Sequence, residues 1–219
     1  DQSGNGNHFE QTTSTKMPSY EYESTDNGYP FLSFDGTDDF LQCVNVGISS
    51  GGSGIAHDHT IFIVTKIEDN APASGIILCK EPTISTSPRF FVESKDPSTG
   101  SYILAATYFD DDTDFTIIAD SQPLSTIFVH AIRFKEQTLT HFRDGIKINE
   151  ATDSGYDNFT FYGGTRPIVV GAGNTPEAIG ATLQVQMKMQ ELIIFNDDLT
   201  DAQTEKVSSI LKHKYNISN

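Results

Sequence analysis

An all-β sandwich that ends in a single helix is the fold class that this sequence predicts. Short apolar runs follow one another along most of the chain, and clusters of Gly, Pro, Asn, Asp and Ser separate them. Asp144-Gly145 stands between two alternating runs, which is one of the strongest local signals of a β-hairpin. Only the C-terminal segment has a helical pattern. Many short strands at regular spacing are typical of a sandwich or a barrel.

The predicted strands begin at Phe31 and are separated by turn signals such as Asp35-Gly36. They cover residues 31–34, 40–46, 60–64, 75–80, 89–93, 102–107, 115–120, 127–134, 139–143, 146–148, 159–162, 167–171 and 183–195. We expect the chain to leave the hairpin from Asn149 onward. The last strand is long, and we expect a bend near Lys188.

The closing helix is predicted over residues 200–215. Thr200 and Gln203 have the spacing of a capping box, in which each side chain bonds the backbone N–H of the other residue. An acidic first turn and a basic last turn suit the helix dipole. An apolar face is expected to dock on a sheet. This face comprises Ala202, Val207, Ile210 and Leu211.

The domain organisation predicted is one domain over residues 1–219, because no internal repeat or low-complexity linker is visible. Residues 1–28 are expected to form a loose N-terminal approach. The chain begins at Asp1 and not at Met, so we expect a processed product or a piece of a longer polypeptide.

The charge of the chain narrows its partners. Lys and Arg number 14 against 30 Asp and Glu, which gives a net charge of −16. Such a field repels phosphate backbones and anionic lipid, so nucleic acid is excluded as a partner. No apolar run approaches the length of a membrane span, so membrane insertion is excluded too. Charged residues make up only 20% of the chain, so the acidity reflects scarce cations.

Two cysteines, Cys43 and Cys79, permit one intramolecular pairing. Free cysteines are commonly buried, and two buried thiols in strands are the favoured interpretation. A disulfide stays open as the alternative if the two strands are neighbours.

Six segments, taken in order, resemble a known superfamily. They are DQSGNGN at 1–7, FLSFDGTDDFL at 31–41, HTIFIV at 59–64, the hairpin at 139–148, PIVVG at 167–171 and ELIIFNDDLT at 191–200. Together they resemble the concanavalin A-like lectin/glucanase superfamily, in its laminin G-like (LamG) branch. The resemblance implies a two-sheet antiparallel jelly-roll sandwich. In relatives the first motif follows a Trp-containing stretch, and this chain has no Trp, which again suggests part of a longer protein.

Catalytic motifs are weak in this sequence. Glycosidases of the resembled superfamily need two carboxylates that face one sugar. Glu21 and Glu23 alternate only in the N-terminal approach, and Glu191 is alone on its strand. Gly-x-Ser-x-Gly, dinucleotide and phosphate-loop patterns are not matched either. His57 and His59 allow a transition-metal interpretation, but an ordinary strand entrance is favoured because no third ligand is evident.

Calcium is the one cofactor that the sequence suggests. Asp110, Asp112 and Asp114 lie in an acidic cluster whose oxygens suit Ca²⁺, and calcium is common in lectin-like sandwiches. The alternative, a solvated loop of like charges, is favoured over calcium. The segment from Asp35 to Asp39 is a second candidate, although Asp35-Gly36 is sufficiently explained as a turn.

Sugar binding commonly uses aromatic side chains beside Asn or Asp groups. Tyr108 lies next to the acidic cluster, while Tyr156, Asn158 and Tyr162 form a second loop of this composition. These four residues are the candidate ligand-binding residues. Ordinary core or surface aromatics are at least an equal alternative.

The function expected is a non-catalytic, lectin-like recognition or adhesion module on a cell or virion surface. Glycans are the expected ligands, because domains of the resembled type are common in bacterial surface proteins and in virion proteins of tailed phages. The alternative is a structural capsid decoration, fibre or cement domain that binds other surface proteins. A glycoside hydrolase is the third possibility.

Overall fold

The computed structural model describes residues 2, 4, 6–22, 26–43, 58–69, 74–80, 89–95, 101–109, 114–152, 167–173 and 183–218. A 3-10 turn over Ser14–Lys16 comes first, and one α-helix, α1, spans Asp201–Lys214. The strands are β1 Ser19–Glu21, β2 Phe31–Asp35, β3 Leu41–Cys43, β4 His59–Ile67, β5 Ser74–Lys80, β6 Arg89–Lys95, β7 Ser101–Phe109, β8 Asp114–Pro123, β9 Phe128–Lys135, β10 Thr138–Arg143, β11 Ile146–Thr152, β12 Ile168–Val170 and β13 Gln186–Phe195.

The strands form two antiparallel sheets. The seven-stranded sheet has the order β1-β2-β13-β4-β9-β10-β11, and the six-stranded sheet has the order β3-β12-β5-β6-β7-β8. A shared core of buried apolar side chains from both sheets lies between them. The predicted fold class, a two-sheet antiparallel sandwich with one C-terminal helix, is confirmed. None of the helices described is long and apolar enough to cross a bilayer.

The central strand β4 shows why the middle of its sequence, Ile61 to Val64, is apolar at every position. Ile61 and Ile63 face the core between the sheets. Phe62 and Val64 face the opposite side, where α1 covers them with Leu211. Both faces of β4 are therefore buried, and each fully buried large side chain contributes ~1.5–3 kcal/mol.

The helix begins as the sequence predicts but presents a different face. Gln203 N donates to Thr200 Oγ1 at 3.3 Å and Thr200 N donates to Gln203 Oε1 at 2.8 Å, which completes the capping box. The predicted docking face is wrong in part, since Ile210 is 56% exposed and Ala202 is also exposed. The buried positions recur at helical spacing on a neighbouring face. They are Thr204, Ser208 and Leu211.

The β10–β11 hairpin confirms the predicted turn and corrects its length. Asp144 has φ 52° and Gly145 has φ 87°, so both central residues have the positive φ of a type I′ turn. The expectation that the chain leaves the hairpin at Asn149 is wrong, because β11 stays paired with β10 as far as Thr152. A register shift between His141 and Phe142 accommodates the continued pairing.

Two further elements refine the prediction, and one predicted strand cannot be compared. The last strand begins at Gln186, and its irregularity lies between Met189 and Glu191, beyond the expected bend at Lys188. Within residues 1–28, β1 pairs with β2, which the sequence analysis did not foresee. The predicted strand at 159–162 lies outside the described residues.

The two cysteines are free and buried. Cys43 is on β3 and Cys79 is on β5, and β12 lies between these strands with Ile168 opposite Cys43 and Val169 opposite Cys79. An intervening strand separates the two thiols by about two strand spacings of ~4.8 Å, which exceeds disulfide reach. Buried free thiols are therefore confirmed.

Candidate functional site

The residues predicted to bind calcium and sugar fall almost entirely outside the described part of the chain. Asp110, Asp112, Tyr156, Asn158 and Tyr162 belong to segments that the structure does not describe. The side chains of Tyr108 on β7 and of Asp114 at the start of β8 are likewise outside it. Calcium at the acidic cluster and sugar at the two aromatic loops stay predictions.

The second acidic candidate is a turn in which the carboxylates of Asp35 and Asp39 accept backbone hydrogen bonds. Ligand atoms of Asp35, Asp38 and Asp39 lie within 4.8 Å of one another. Asp35 Oδ1 accepts from Thr37 N at 2.7 Å, and Asp39 Oδ2 accepts from Asp35 N at 3.0 Å. Burial, followed by the neighbouring carboxylates, raises the pKa of Asp39. These hydrogen bonds account for the acidic residues as turn formers, and calcium here also stays a prediction.

A cleft of about 430 Å³ opens between the edge strands of the two sheets. Its volume is in the range of small-molecule sites. The end of β8, the start of β9, the β10–β11 hairpin and the last turn of α1 form its walls. The lining side chains are Ser121, Pro123, Phe128, Arg143, Asp144, Ile146, Ile148 and Lys212. We call this site the hairpin cleft.

The hairpin turn positions the charged residues of the hairpin cleft. Asp144 is tied to β9, because Asp144 N donates to Val129 O at 2.8 Å and Val129 N donates to Asp144 Oδ1 at 3.0 Å. The type I′ turn then reverses the chain at Gly145, so that Arg143 and Ile146 stand side by side on paired strands. Gly145 lies against α1, where a Cβ would approach Ser208 Cβ to 3.4 Å.

Arg143 and Lys212 are the cations of the hairpin cleft. The guanidinium carbon of Arg143 lies 5.5 Å from the centre of the Phe128 ring, which is a cation–π distance. Elsewhere in the described part of the chain most cations are paired, as in Lys66–Asp26, Arg133–Asp201 and Lys188–Glu21. Neither cation of the cleft forms an ion pair with any described carboxylate.

A buried network of polar side chains lies beside Phe128, one of the residues that line the cleft. Tyr102 Oη donates to Gln122 Oε1 at 3.4 Å and meets His130 Nε2 at 3.2 Å. His130 Nδ1 in turn meets His141 Nε2 at 3.2 Å, and the two rings are stacked 5.5 Å apart. All four side chains are fully buried. The Phe128 ring lies 5.9 Å from the His130 ring, so this network adjoins the cleft.

Burial sets the charge state of these histidines. Burial, with the charges of His141 and Arg143 adding to it, lowers the pKa of His130 well below its usual value. Burial and then Arg143 lower the pKa of His141 to about 3. Both rings are therefore neutral at physiological pH, and within the described residues His141 Nδ1 has no hydrogen-bond partner.

The other chemical candidates from the sequence have structural roles. His59 is fully buried and stacks on Phe134 with ring centres 5.7 Å apart, while His57 lies outside the described residues. Glu21 accepts from Lys188 Nζ at 2.7 Å. Glu191 accepts from Lys214 Nζ at 2.8 Å. None of these three residues lines the hairpin cleft.

Sequence reasoning missed the hairpin cleft. In the sequence, Arg143 is only one residue of an alternating strand, and Lys212 is only a cation at the end of a predicted helix. The one signal in the sequence was the low number of Lys and Arg residues. With 14 cations against 30 acids, most cations are expected to have an acidic partner.

Comparisons with known proteins identify the fold and no closer relationship. No family model matches the sequence, and a search of curated proteins finds no significant relative. The binding domain of Paraclostridial Mosquitocidal Protein 1 is similar with a TM-score of 0.67 and 13% identity, over 96% of this chain and 49% of that chain. The Ruminococcus gnavus IT-sialidase CBM40 bound to α2,3 sialyllactose is similar with a TM-score of 0.58 and 12% identity, over 82% of this chain and 93% of that one.

A third similar structure belongs to a much longer protein. The NanB sialidase from Streptococcus pneumoniae is similar with a TM-score of 0.62 and 12% identity over 79% of this chain, which spans only 27% of that enzyme. At such identities the likeness shows a shared β-sandwich fold.

Proposed function

We propose that this chain is a non-catalytic glycan-binding module, and that its ligand binds in the hairpin cleft. The observation that carries the proposal is the cleft itself, about 430 Å³ in volume and lined by both polar and apolar groups. A sugar ring presents hydroxyls at its edge and C–H groups on its faces, so it needs both kinds of contact.

Both kinds of group are present among the side chains that line the cleft. Ser121, Arg143 and Lys212 supply hydrogen-bond donors, and Asp144 supplies an acceptor. The apolar contacts come from side chains that line the same cleft. They are Pro123, Ile146 and Ile148. A few convergent polar groups in an otherwise apolar pocket are typical of small-ligand sites.

Support for a glycan ligand also comes from the fold. The similar CBM40 of the Ruminococcus gnavus IT-sialidase was solved with α2,3 and with α2,6 sialyllactose. Two other similar structures are binding domains of clostridial toxins, Paraclostridial Mosquitocidal Protein 1 and botulinum neurotoxin serotype D.

A non-catalytic role agrees with the state of the candidate acids. Glu21 and Glu191 are held by Lys188 and Lys214, so they serve the sheet and helix as ion-pair partners. The proposal keeps the LamG-type module of a longer surface polypeptide, outside the cell or on a virion, as the context of this domain. Calcium at Asp110, Asp112 and Asp114 is kept in the proposal as a separate metal site of this domain.

A second candidate function is structural, with a protein as the partner. Edge strand β1 exposes Tyr20, which is 63% accessible, and the following Tyr22 is 73% accessible. The two rings lie 6.4 Å apart, and adjacent exposed aromatics on an edge strand are suited to strand addition by another chain.

Glycan-array screening of the folded chain tests the main proposal. We expect saturable binding to a subset of glycans, followed by chemical-shift changes at the Ile146 and Ile148 methyl groups when a bound glycan is titrated. Binding that persists when Ile146 is replaced by Asp would place the ligand elsewhere. The proposal is ruled out if no glycan on the array is bound while the near-UV circular dichroism spectrum shows an intact fold. A parallel array with EDTA tests whether binding depends on calcium.

A further inference from the structure

We infer that the hairpin cleft selects an acidic sugar, and that Arg143 binds its carboxylate. This inference rests on the proposed function, which it deepens by naming the ligand class. It starts from the charge of the chain. Acids outnumber cations by 30 to 14, and yet two cations without a described carboxylate partner line one concave site.

Both cations of the hairpin cleft lie beyond ion-pair distance of every described carboxylate, including that of Asp144, which lines the same cleft. Arg133 and Lys147 both contact Asp201, and Lys135 contacts Asp198. Arg143 and Lys212 converge on one cleft without such a contact. Two positive charges in one concave site favour an anion, and they attract it most strongly where the walls exclude water.

The support of Arg143 makes it a preorganised donor. Its guanidinium lies over Phe128, which is itself only 7% exposed, and the tight turn that follows limits its backbone. A guanidinium on an aromatic face leaves the N–H groups at its edge free to donate. Two parallel N–H donors match a planar carboxylate, which gives a bidentate pair that a lysine cannot reproduce.

The remaining walls limit the ligand to a single charged sugar unit. Ile146 is 68% exposed and can cover the apolar face of a pyranose ring. Asp144 accepts from Val129 N and faces the cleft as its carboxylate. It would accept from a sugar hydroxyl and disfavour a second anionic group nearby.

A polyanion does not fit this charge arrangement. Nucleic acid binding needs many phosphate contacts, and the described lining contributes only two cations against a chain charge of −16. Screening confines the benefit of those cations to about 8 Å at physiological ionic strength, which covers one monosaccharide. The ligand class is therefore a terminal or branch sugar with one carboxylate.

Calorimetric titration with matched glycans tests the inference. The probes are 3′-sialyllactose and a glucuronate-terminated disaccharide as carboxylates, lactose as the neutral form, and 3′-sulfolactose as another anion. We expect the two carboxylate sugars to bind at least about tenfold more tightly than lactose, and more tightly than the sulfate, because one good charge-assisted contact contributes about a factor of ten.

Variants assign the contact to its residues. Arg143→Met keeps a stem over Phe128 and should weaken carboxylate binding about tenfold or more, while Arg143→Lys should recover only part of it. Lys212→Met should cost a smaller factor. Lys206→Met is the matched control, since it removes the same charge from an exposed position of the same helix. Asp144→Asn keeps the turn and the acceptor for Val129 N, and should tighten carboxylate binding.

The outcomes distinguish selectivity for an acidic sugar from glycan binding in general. Equal binding of lactose and sialyllactose, unchanged in Arg143→Met, overturns the acidic-sugar assignment and leaves glycan binding standing. Preference for the sulfated probe overturns the carboxylate. If no glycan of any class binds the folded chain, both fail. Thermal unfolding of each variant confirms that a loss of binding reflects the cleft and not misfolding.

Discussion

Arg133 and Arg143 lie in similar local settings and have opposite electrostatic surroundings. Each guanidinium rests on a phenylalanine ring, Arg133 over Phe142 at 5.1 Å and Arg143 over Phe128 at 5.5 Å. Arg133 is also bound by the start of the helix, where it donates to Leu199 O at 2.8 Å and to Asp201 Oδ1 at 2.7 Å. Arg143 has no such partner among the described residues.

The difference separates a structural arginine from the arginine that we propose as a ligand-binding residue. Arg133 joins β9 to the helix N-terminus and is 8% exposed. Arg143 instead faces the hairpin cleft and acts electrostatically on the buried histidines. The same side chain and the same aromatic support therefore serve the fold at one position and line the hairpin cleft at the other.

The largest expected effect concerns the histidines beside Arg143. The folded-state pKa of His141, about 3, lies below the unfolded value, so the unfolded chain binds more protons between about pH 6.5 and pH 3. The contribution of His141 to the free energy of unfolding is complete above about pH 6.5. It falls with acidification by up to ~1.4 kcal/mol per pH unit. In His141→Phe, the free energy of unfolding measured by urea denaturation should depend less steeply on pH across this range.

The control for this prediction is His213→Ala, which removes an exposed histidine at the end of the helix. It should leave this pH dependence unchanged. An identical pH dependence in His141→Phe and the parent chain would contradict a buried neutral histidine. In Arg143→Met, NMR titration should find the pKa of His141 slightly raised, because one of its two causes is removed.

Arg133→Met is expected to have the next largest effect, a loss of about 2 kcal/mol of unfolding free energy. The Leu199 carbonyl loses a charged donor, which is the main cost. The pair with Asp201 adds little, since that carboxylate is 57% exposed and screened by solvent. Urea denaturation measures the loss, and unchanged glycan affinity would show that the role of Arg133 is confined to the fold.

Gly145→Ala is expected to cost about 1 kcal/mol, because an alanine is strained at φ 87°. It should also weaken glycan binding, since the turn positions Arg143 and Asp144. Gly28→Ala provides a matched control, with φ 81° and no atom near a new Cβ. Equal loss of stability with binding lost only in Gly145→Ala would support the cleft, whereas binding lost in both would point to general loosening.

The smallest effect on stability is expected for Arg143→Met, within ~0.5 kcal/mol of the parent chain at neutral pH. No described carboxylate or carbonyl loses a partner there. A loss as large as that of Arg133→Met in the same urea experiment would remove the contrast between the two arginines.

Local features were predictable because their causes are local. The positive φ at Asp144 and Gly145 follows from the residues themselves, and the capping box of Thr200 and Gln203 needs only one helical turn. The alternation of apolar and turn residues likewise predicted a sandwich. β11 was predicted too short, because cross-strand pairing with β10 stabilises it and that partner is not visible in the local pattern.

The helix face and the hairpin cleft depended on packing between distant segments. The same helix offers several faces with apolar residues, and contact with the seven-stranded sheet selected the one with Ser208 and Leu211 over the one with Ile210. Arg143 and Lys212 become neighbours only when α1 packs across the hairpin. No pattern in the sequence reports which cation remains without a carboxylate.

By itself, the sequence determined the all-β class, the hairpin turn and the start of the helix. These follow from side-chain periodicity and backbone preference, which are properties of short segments. Tertiary structure alone decided that Cys43 and Cys79 are kept apart by β12, and that Arg133 is paired while Arg143 has no ion-pair partner among the described residues. The physical reason is that burial and charge pairing depend on distances between residues far apart in the chain.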